Sequence, residues 1–140
     1  MLSIQTSEER IDPRVKRTRI LIESAFEALL AEKGFPTITV QDITERAEIN
    51  RATFYAHFTD KFALLENHIQ RVFRQELETR TLHACHYNEE NLCALIVTVC
   101  EFIAQGNGRC KSTDSQFEML LEQQVRKQIQ ELIEMWLGVT

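Results

Sequence analysis

The sequence predicts an all-α protein, and three observations carry that expectation. Apolar residues recur at helical spacing along most of the chain, no stretch alternates with the period of two that a half-buried strand needs, and capping residues stand where successive stripes begin. With 140 residues, 44% of them hydrophobic, the chain can bury a core in one domain or two small ones.

The elements follow in order. A first helix is expected from about Asp12 to Lys33, with Ile20, Leu21, Ser24, Ala25, Ala28, Leu29 and Ala31 on its apolar face and Gly34 as its stop. After a loop through Pro36, Thr39 N-caps a short helix over Val40 to Ala47, and Asp42 completes an Asp variant of the capping box. Only Glu48 and Ile49 remain before Asn50, a good N-cap for a third helix ending near Phe58. Asp60 starts a long fourth helix whose stripe is Phe62, Leu65, Ile69, Val72, Phe73 and Leu77. Leu92 to Ala104 is apolar almost all round, as expected of a helix buried at the centre of the second half. A loop over 105–114 leads to a final amphipathic helix marked by Phe117, Leu120, Leu121, Val125, Ile129, Leu132, Ile133, Trp136 and Leu137.

Composition excludes several classes. A formal net charge of -5 argues against coating nucleic acid with the whole surface, so any anion-binding site is local. The first twenty residues hold no apolar core of a secretory signal, and the expected location is the cytoplasm. The longest apolar run, Leu92 to Cys100, is broken by Thr98 and falls far short of the roughly 18 residues of a membrane span, so no membrane contact is expected. Cys85, Cys93, Cys100 and Cys110 match no paired zinc spacing and read as buried thiols, with Cys93 and Cys100 two turns apart on one face. His83, Cys85 and His86 fit no standard metal site either. No metal or cofactor is expected. No nucleophile-base set, carboxylate pair or phosphate-cradling glycine loop can be assembled, so the chain is not read as an enzyme.

A short helix, a tight turn and a second short helix form a helix-turn-helix, which can place its second helix in the major groove of DNA. Val40, Ile43, Ala47, Ile49, Phe54 and Phe58 make the inner face, and Ala47 is small enough for a close crossing. Phe62 continues the aromatic core. Arg51, Ala52, Thr53, Tyr55, Ala56 and His57 are left outward. Arg51 suits guanine edges, Thr53 a base or phosphate, and Tyr55 and His57 phosphates, while Ala52 lets the backbone approach. Lys61 adds charge in the first turn of the fourth helix, where helix amides favour an anion. Arg14, Lys16, Arg17 and Arg19, with Arg10 before them, make a basic arm for the DNA backbone or minor groove, which reconciles DNA binding with the acidic net charge. An ordinary charged helix face is the rival reading of that arm.

The stretch "TVQDITERAEINRATFYAHFTDKFALLENHI" resembles the DNA-binding region of the TetR family of bacterial transcriptional regulators, over about Arg14 to Arg74. The resemblance implies a helix-turn-helix domain over 14–74 after an N-terminal arm, 1–13. A helical region for dimerisation and ligand binding, 75–140, would follow, with the fourth helix joining the two. It implies base or nearby phosphate contacts from Gln41, Arg51, Ala52 and Thr53, and phosphate contacts from Thr39, Tyr55, His57 and Lys61. Its expected partners are a double-stranded DNA operator, palindromic and bound by a homodimer, and a small-molecule effector that releases a repressor. Family chains tend to be longer, so the second region is expected to be incomplete, with part of the usual dimerisation helices missing. One departure stands out: the family commonly has glycine in the turn where this chain has Glu48, which costs about 1 kcal/mol if the backbone there needs a positive φ. The alternative from another class is a helical adaptor or sensor whose main partner is a protein, engaged through the 114–137 stripe, with weak and non-specific DNA binding.

Overall fold

A computed structural model describes residues 12–81, 86–109 and 115–138. Six α-helices make up the described chain, with one 3₁₀ turn and no strand among those residues. The basic arm's residues 1–11, with Arg10, lie outside them, as do His83, Cys85 and Cys110.

Helix α1 runs Pro13–Lys33, with the Asp12 carboxylate accepting from the Arg14 amide at 2.9 Å and Gly34 ending it at φ 72°. Its buried face is Ile22, Ala25, Phe26, Leu29 and Leu30, which shares only Ala25 and Leu29 with the expected one. Ile20 and Leu21 are about half exposed, at 51% and 50%. The sequence of α1 allows two overlapping apolar arcs, and the bulkier arc through Ile22 and Phe26 is the one its neighbours cover.

A 3₁₀ turn at Phe35–Thr37 follows, and its buried Phe35 knits three elements together. The ring meets Phe26 of α1 at 6.3 Å, Phe62 at 5.3 Å and Phe117 at 6.4 Å. Helices α2 (Val40–Ala47), α3 (Arg51–His57) and α4 (Lys61–Glu78) start on the expected caps, Thr39, Asn50 and Asp60. The α4 stripe is Leu64, Leu65, Ile69, Phe73 and Leu77. Phe62, expected in the core, is 40% exposed and gives it only a ring edge, because Leu64 takes the inward position.

In the second half, α5 (Glu89–Arg109) and α6 (Ser115–Leu137) both pack on α4. The expected loop over 105–114 is corrected in part, since α5 stays helical through Arg109. Nor is α5 a central helix. Ala94, Leu95, Thr98 and Phe102 are buried, with Phe102 edge-on to Phe73 at 5.5 Å, while Ile96, Val97 and Ile103 on the other side are exposed. Cys93 and Cys100 lie on that exposed side, so they are not the buried thiols expected. Being apolar all round marks α5 as able to bury two faces, and one is covered here. On α6, Phe117, Leu121, Val125, Gln128 and Leu132 face inward, whereas Ile133 and Leu137 of the expected stripe are exposed. The buried residues form one cluster from Ile22 to Leu132, in which α4 serves both halves. No helix of the described residues is long and apolar enough to cross a membrane, and none of their His, Cys, Asp and Glu side chains group as a metal site.

Candidate nucleic-acid interface

The candidate surface is built on the α2-turn-α3 unit, whose ends are fixed by side chains close in sequence. Thr39 and Asp42 form a reciprocal capping box: the Asp42 amide donates to Thr39 Oγ1 at 3.1 Å and the Thr39 amide to Asp42 Oδ2 at 2.9 Å. Those bonds, first from the Thr39 backbone and then from Lys33, hold the Asp42 carboxyl below its ordinary pKa. Lys33 Nζ lies 2.9 Å from Asp42, and Arg46 reaches Glu32 at 2.6 Å, so two ion pairs join α2 to the end of α1. The Arg46 hydrogen bond holds the Glu32 carboxyl below its usual range and raises Arg46 in turn.

The turn is sharp because Glu48 adopts the left-handed conformation, φ 57° and ψ 43°, while the Ile49 amide donates back to the Thr44 carbonyl at 3.0 Å. Among the described residues Glu48 alone is a non-glycine with positive φ. The departure noted in the sequence therefore falls on a position where glycine would be relaxed. Asn50 Oδ1 then accepts from both the Thr53 amide, at 2.7 Å, and the Thr53 hydroxyl, at 2.8 Å, and opens α3.

With Phe54 and Phe58 buried and Ile43 and Ala47 behind them, α3 turns Arg51, Ala52, Tyr55 and Ala56 to the outside. Arg51 and Tyr55, one turn apart, share a face: the guanidinium lies 3.4 Å from the phenol oxygen and 6.0 Å from the ring centroid. Thr53 and His57 are half-buried at its edges. Because the Thr53 hydroxyl donates to Asn50, what it can still offer a ligand is an acceptor lone pair and its methyl. Thr39 and Gln41 are exposed at the start of α2, Gln41 donating to Glu45 at 2.9 Å. Arg14 and Arg17 are exposed on α1 with Lys16.

Two of the expected contact residues have partners within the protein. Lys61, expected as a phosphate ligand, is half-buried and engaged within the protein. Its ammonium donates to the carbonyls of Phe35, Pro36 and Ile38 at 3.1, 3.4 and 3.0 Å, because the adjoining 3₁₀ turn leaves carbonyls that need a donor. Arg19, still exposed, is engaged within the protein: it bonds Glu23 and Asn67, with its guanidinium 5.0 Å from the Phe58 ring centroid. Asn67 carried no sequence signal, being one polar residue on a partly polar helix face.

Comparison with known proteins decides what this unit is. Residues 21–67 match the family described as bacterial regulatory proteins, tetR family. Residues 21–67 are a TetR-type region. It is 43% identical over 76 residues to the uncharacterised HTH-type transcriptional regulator YxbF of Bacillus subtilis (strain 168), covering 54% of this chain and 20% of that protein. A second relative from the same organism, the uncharacterised HTH-type transcriptional regulator YdeS, is 43% identical over 53 residues, 38% of this chain and 27% of that protein. The chain thus spans about a fifth to a quarter of the length of these relatives. No solved structure matches it. The TetR-type match covers all of α2 and α3 and α4 as far as Asn67, so Gln41, Arg51, Ala52, Thr53, Tyr55 and His57 all fall inside it.

Proposed function

We propose that this chain is a TetR-family transcriptional regulator, a ligand-responsive repressor that binds a palindromic operator as a homodimer. The observation that carries the reading is the α3 surface, where Arg51, Ala52 and Tyr55 stand exposed on a short helix whose other side is locked by Phe54. Arg51 and Thr53 are assigned to base edges or nearby phosphates, with Gln41 and Ala52. Thr39, Tyr55 and His57 are assigned to phosphates, and Arg14 and Arg17 to the adjoining backbone. A dimer has to place two such helices about 34 to 36 Å apart, or a multiple of that, to read a palindrome. The exposed apolar side of α5 offers surface for self-association, and a cavity of about 210 Å³ between α4 and α6, lined by Phe73, Leu77, Gln128 and Leu132, is the proposed entry for an effector.

The test is selection of a duplex from random sequence by the purified protein, followed by fluorescence anisotropy on the winner and measurement of mass in solution. A palindromic consensus bound at two chains per duplex is the expected result. The exposed side of α5 equally favours the adaptor reading, which predicts a flat selection profile and a protein partner instead.

A further inference from the structure

The ammonium of Lys61 is held in a way that its place in the sequence does not announce. It sits four residues beyond the end of α3, yet all its hydrogen bonds described above run back to the segment that precedes α2. An ammonium has three donors, so three carbonyls spend them all inside the protein. The same Nζ lies 4.5 Å from the ring centroid of buried Phe35 and 5.7 Å from that of Phe62, within the range where an aromatic face attracts a cation.

The contact closes a ring. From Ile38 the chain passes directly to Thr39, the cap of α2, then through α2, the Glu48 turn and α3, and Lys61 brings it back to Ile38. Ile38 is fully buried and cannot drift alone. Within that ring the entry angle of α2 and the position of the Thr39 hydroxyl depend on where the carbonyls of the 3₁₀ turn are pinned. A compact, tetrahedral ammonium suits three converging carbonyls; a planar guanidinium fork does not.

We propose that Lys61 is a positioning residue for DNA recognition, acting through the Phe35–Ile38 carbonyls on Thr39 and on the angle of the α2–α3 unit rather than by touching a phosphate. The inference rests on the DNA-binding reading above for its functional consequence, although the tether itself does not. A direct phosphate ligand would be replaceable by arginine, and its loss would weaken all DNA alike. A positioning residue has the opposite signature, in which specific binding suffers and the electrostatic component stays.

The experiment compares the full chain with Lys61→Met, which keeps the aliphatic stem, and Lys61→Arg, which keeps the charge. Affinity for the selected operator and for an unrelated duplex of equal length is read across a salt series, well below each protein's melting temperature. Amide hydrogen exchange is followed over Ile38 to Ile43. Both variants are expected to lose about tenfold or more in operator affinity with the unrelated duplex and the salt slope nearly unchanged, and Lys61→Met to exchange at least tenfold faster over those amides. A salt slope reduced by about one with equal loss on both duplexes, or full activity of Lys61→Arg, overturns the proposal in favour of a phosphate contact. A lowered melting temperature with the operator preference intact overturns it in favour of a purely structural role. If the parent protein selects no operator, the DNA-binding reading fails. Unchanged exchange in Lys61→Met or, should that variant not fold, in Lys61→Arg then independently rejects the tether.

Discussion

The guanidinium of Arg19 on α1 donates to Asn67 Oδ1 on α4 at 2.8 Å, and the Asn67 amide in turn donates to Glu23 Oε1 at 2.9 Å. Glu23, mostly buried, also faces Arg19 at 3.4 Å and Arg71 at 3.6 Å. Beside the Arg71 ion pair, α1 is therefore tied to α4 by a neutral amide set between one cation and one carboxylate of α1. Asn67→Ala leaves the Glu23 and Arg19 groups short of a partner in a partly shielded site and is expected to cost about 1 to 2 kcal/mol. Urea denaturation with an unchanged m-value checks this, and a loss below about 0.5 kcal/mol would mean that water replaces the amide. The salt slope of DNA binding is expected to stay the same, since the substitution removes no charge.

Glu48 carries a strain that the chain can shed. A non-glycine residue in the left-handed region costs roughly 1 to 2 kcal/mol, and glycine adds back roughly 0.5 to 1 through the entropy of the unfolded chain. Glu48→Gly is thus expected to raise stability by about 0.5 to 1 kcal/mol, seen as a higher urea midpoint. Glu48→Asn, which tolerates this conformation, should move the same way by less. A fall in both midpoints would show that the Glu48 side chain itself stabilises the turn by more than its backbone costs.

What could be read in the sequence divides by the range of the interactions. The caps at Thr39, Asn50 and Asp60, the Asp42 box and the stop at Gly34 were legible because each acts over four residues or fewer. From them came α2, the turn, α3 and the outward set around Arg51 and Tyr55. The phase of α1 and the exposure of Phe62 were not legible, because the choice between Ile20 and Ile22, or Phe62 and Leu64, is made by helices distant in sequence. Lys61 and Arg19 show the same limit for charge: both look like cations without a partner in the protein until the carbonyls at 35–38 and the side chain of Asn67 are brought beside them. The exposed side of α5 is a third case, since hydrophobicity states what a helix can bury and not how much of it is covered.

Because Arg51 and Tyr55 touch, their contributions to operator binding are expected to be coupled. Each single change, Arg51→Ala or Tyr55→Ala, should weaken operator binding by about tenfold or more, consistent with loss of a base contact worth roughly 1 to 3 kcal/mol or of a charge-assisted phosphate bond. The double variant should lose less than the sum of the two by at least about 0.5 kcal/mol, since residues in contact do not add independently. Anisotropy titrations of all four proteins on the selected duplex complete the cycle. Strict additivity would mean that the two side chains separate when DNA arrives, and no effect of either change would show that α3 is not the reading helix.

The start of α2 should respond to acid in a defined direction. The bonds from Thr39 and Lys33 depress the Asp42 pKa in the folded chain below its ordinary value of 3.8. A carboxylate with a depressed folded pKa contributes stability that is fully present above the unfolded value and is lost as pH falls through the folded one. The window therefore lies below pH 3.8, and at neutral pH the cap is intact. As pH falls through it, the Thr39 amide loses its carboxylate acceptor, and that amide and its neighbours should exchange hydrogen faster than the rest of α2. Asp42→Asn should reproduce the faster exchange at neutral pH and remove most of its acid dependence. If the Thr39 amide in Asp42→Asn still gains exchange with acid as the parent does, another group controls the cap, and Glu32, depressed by Arg46, is the next to replace.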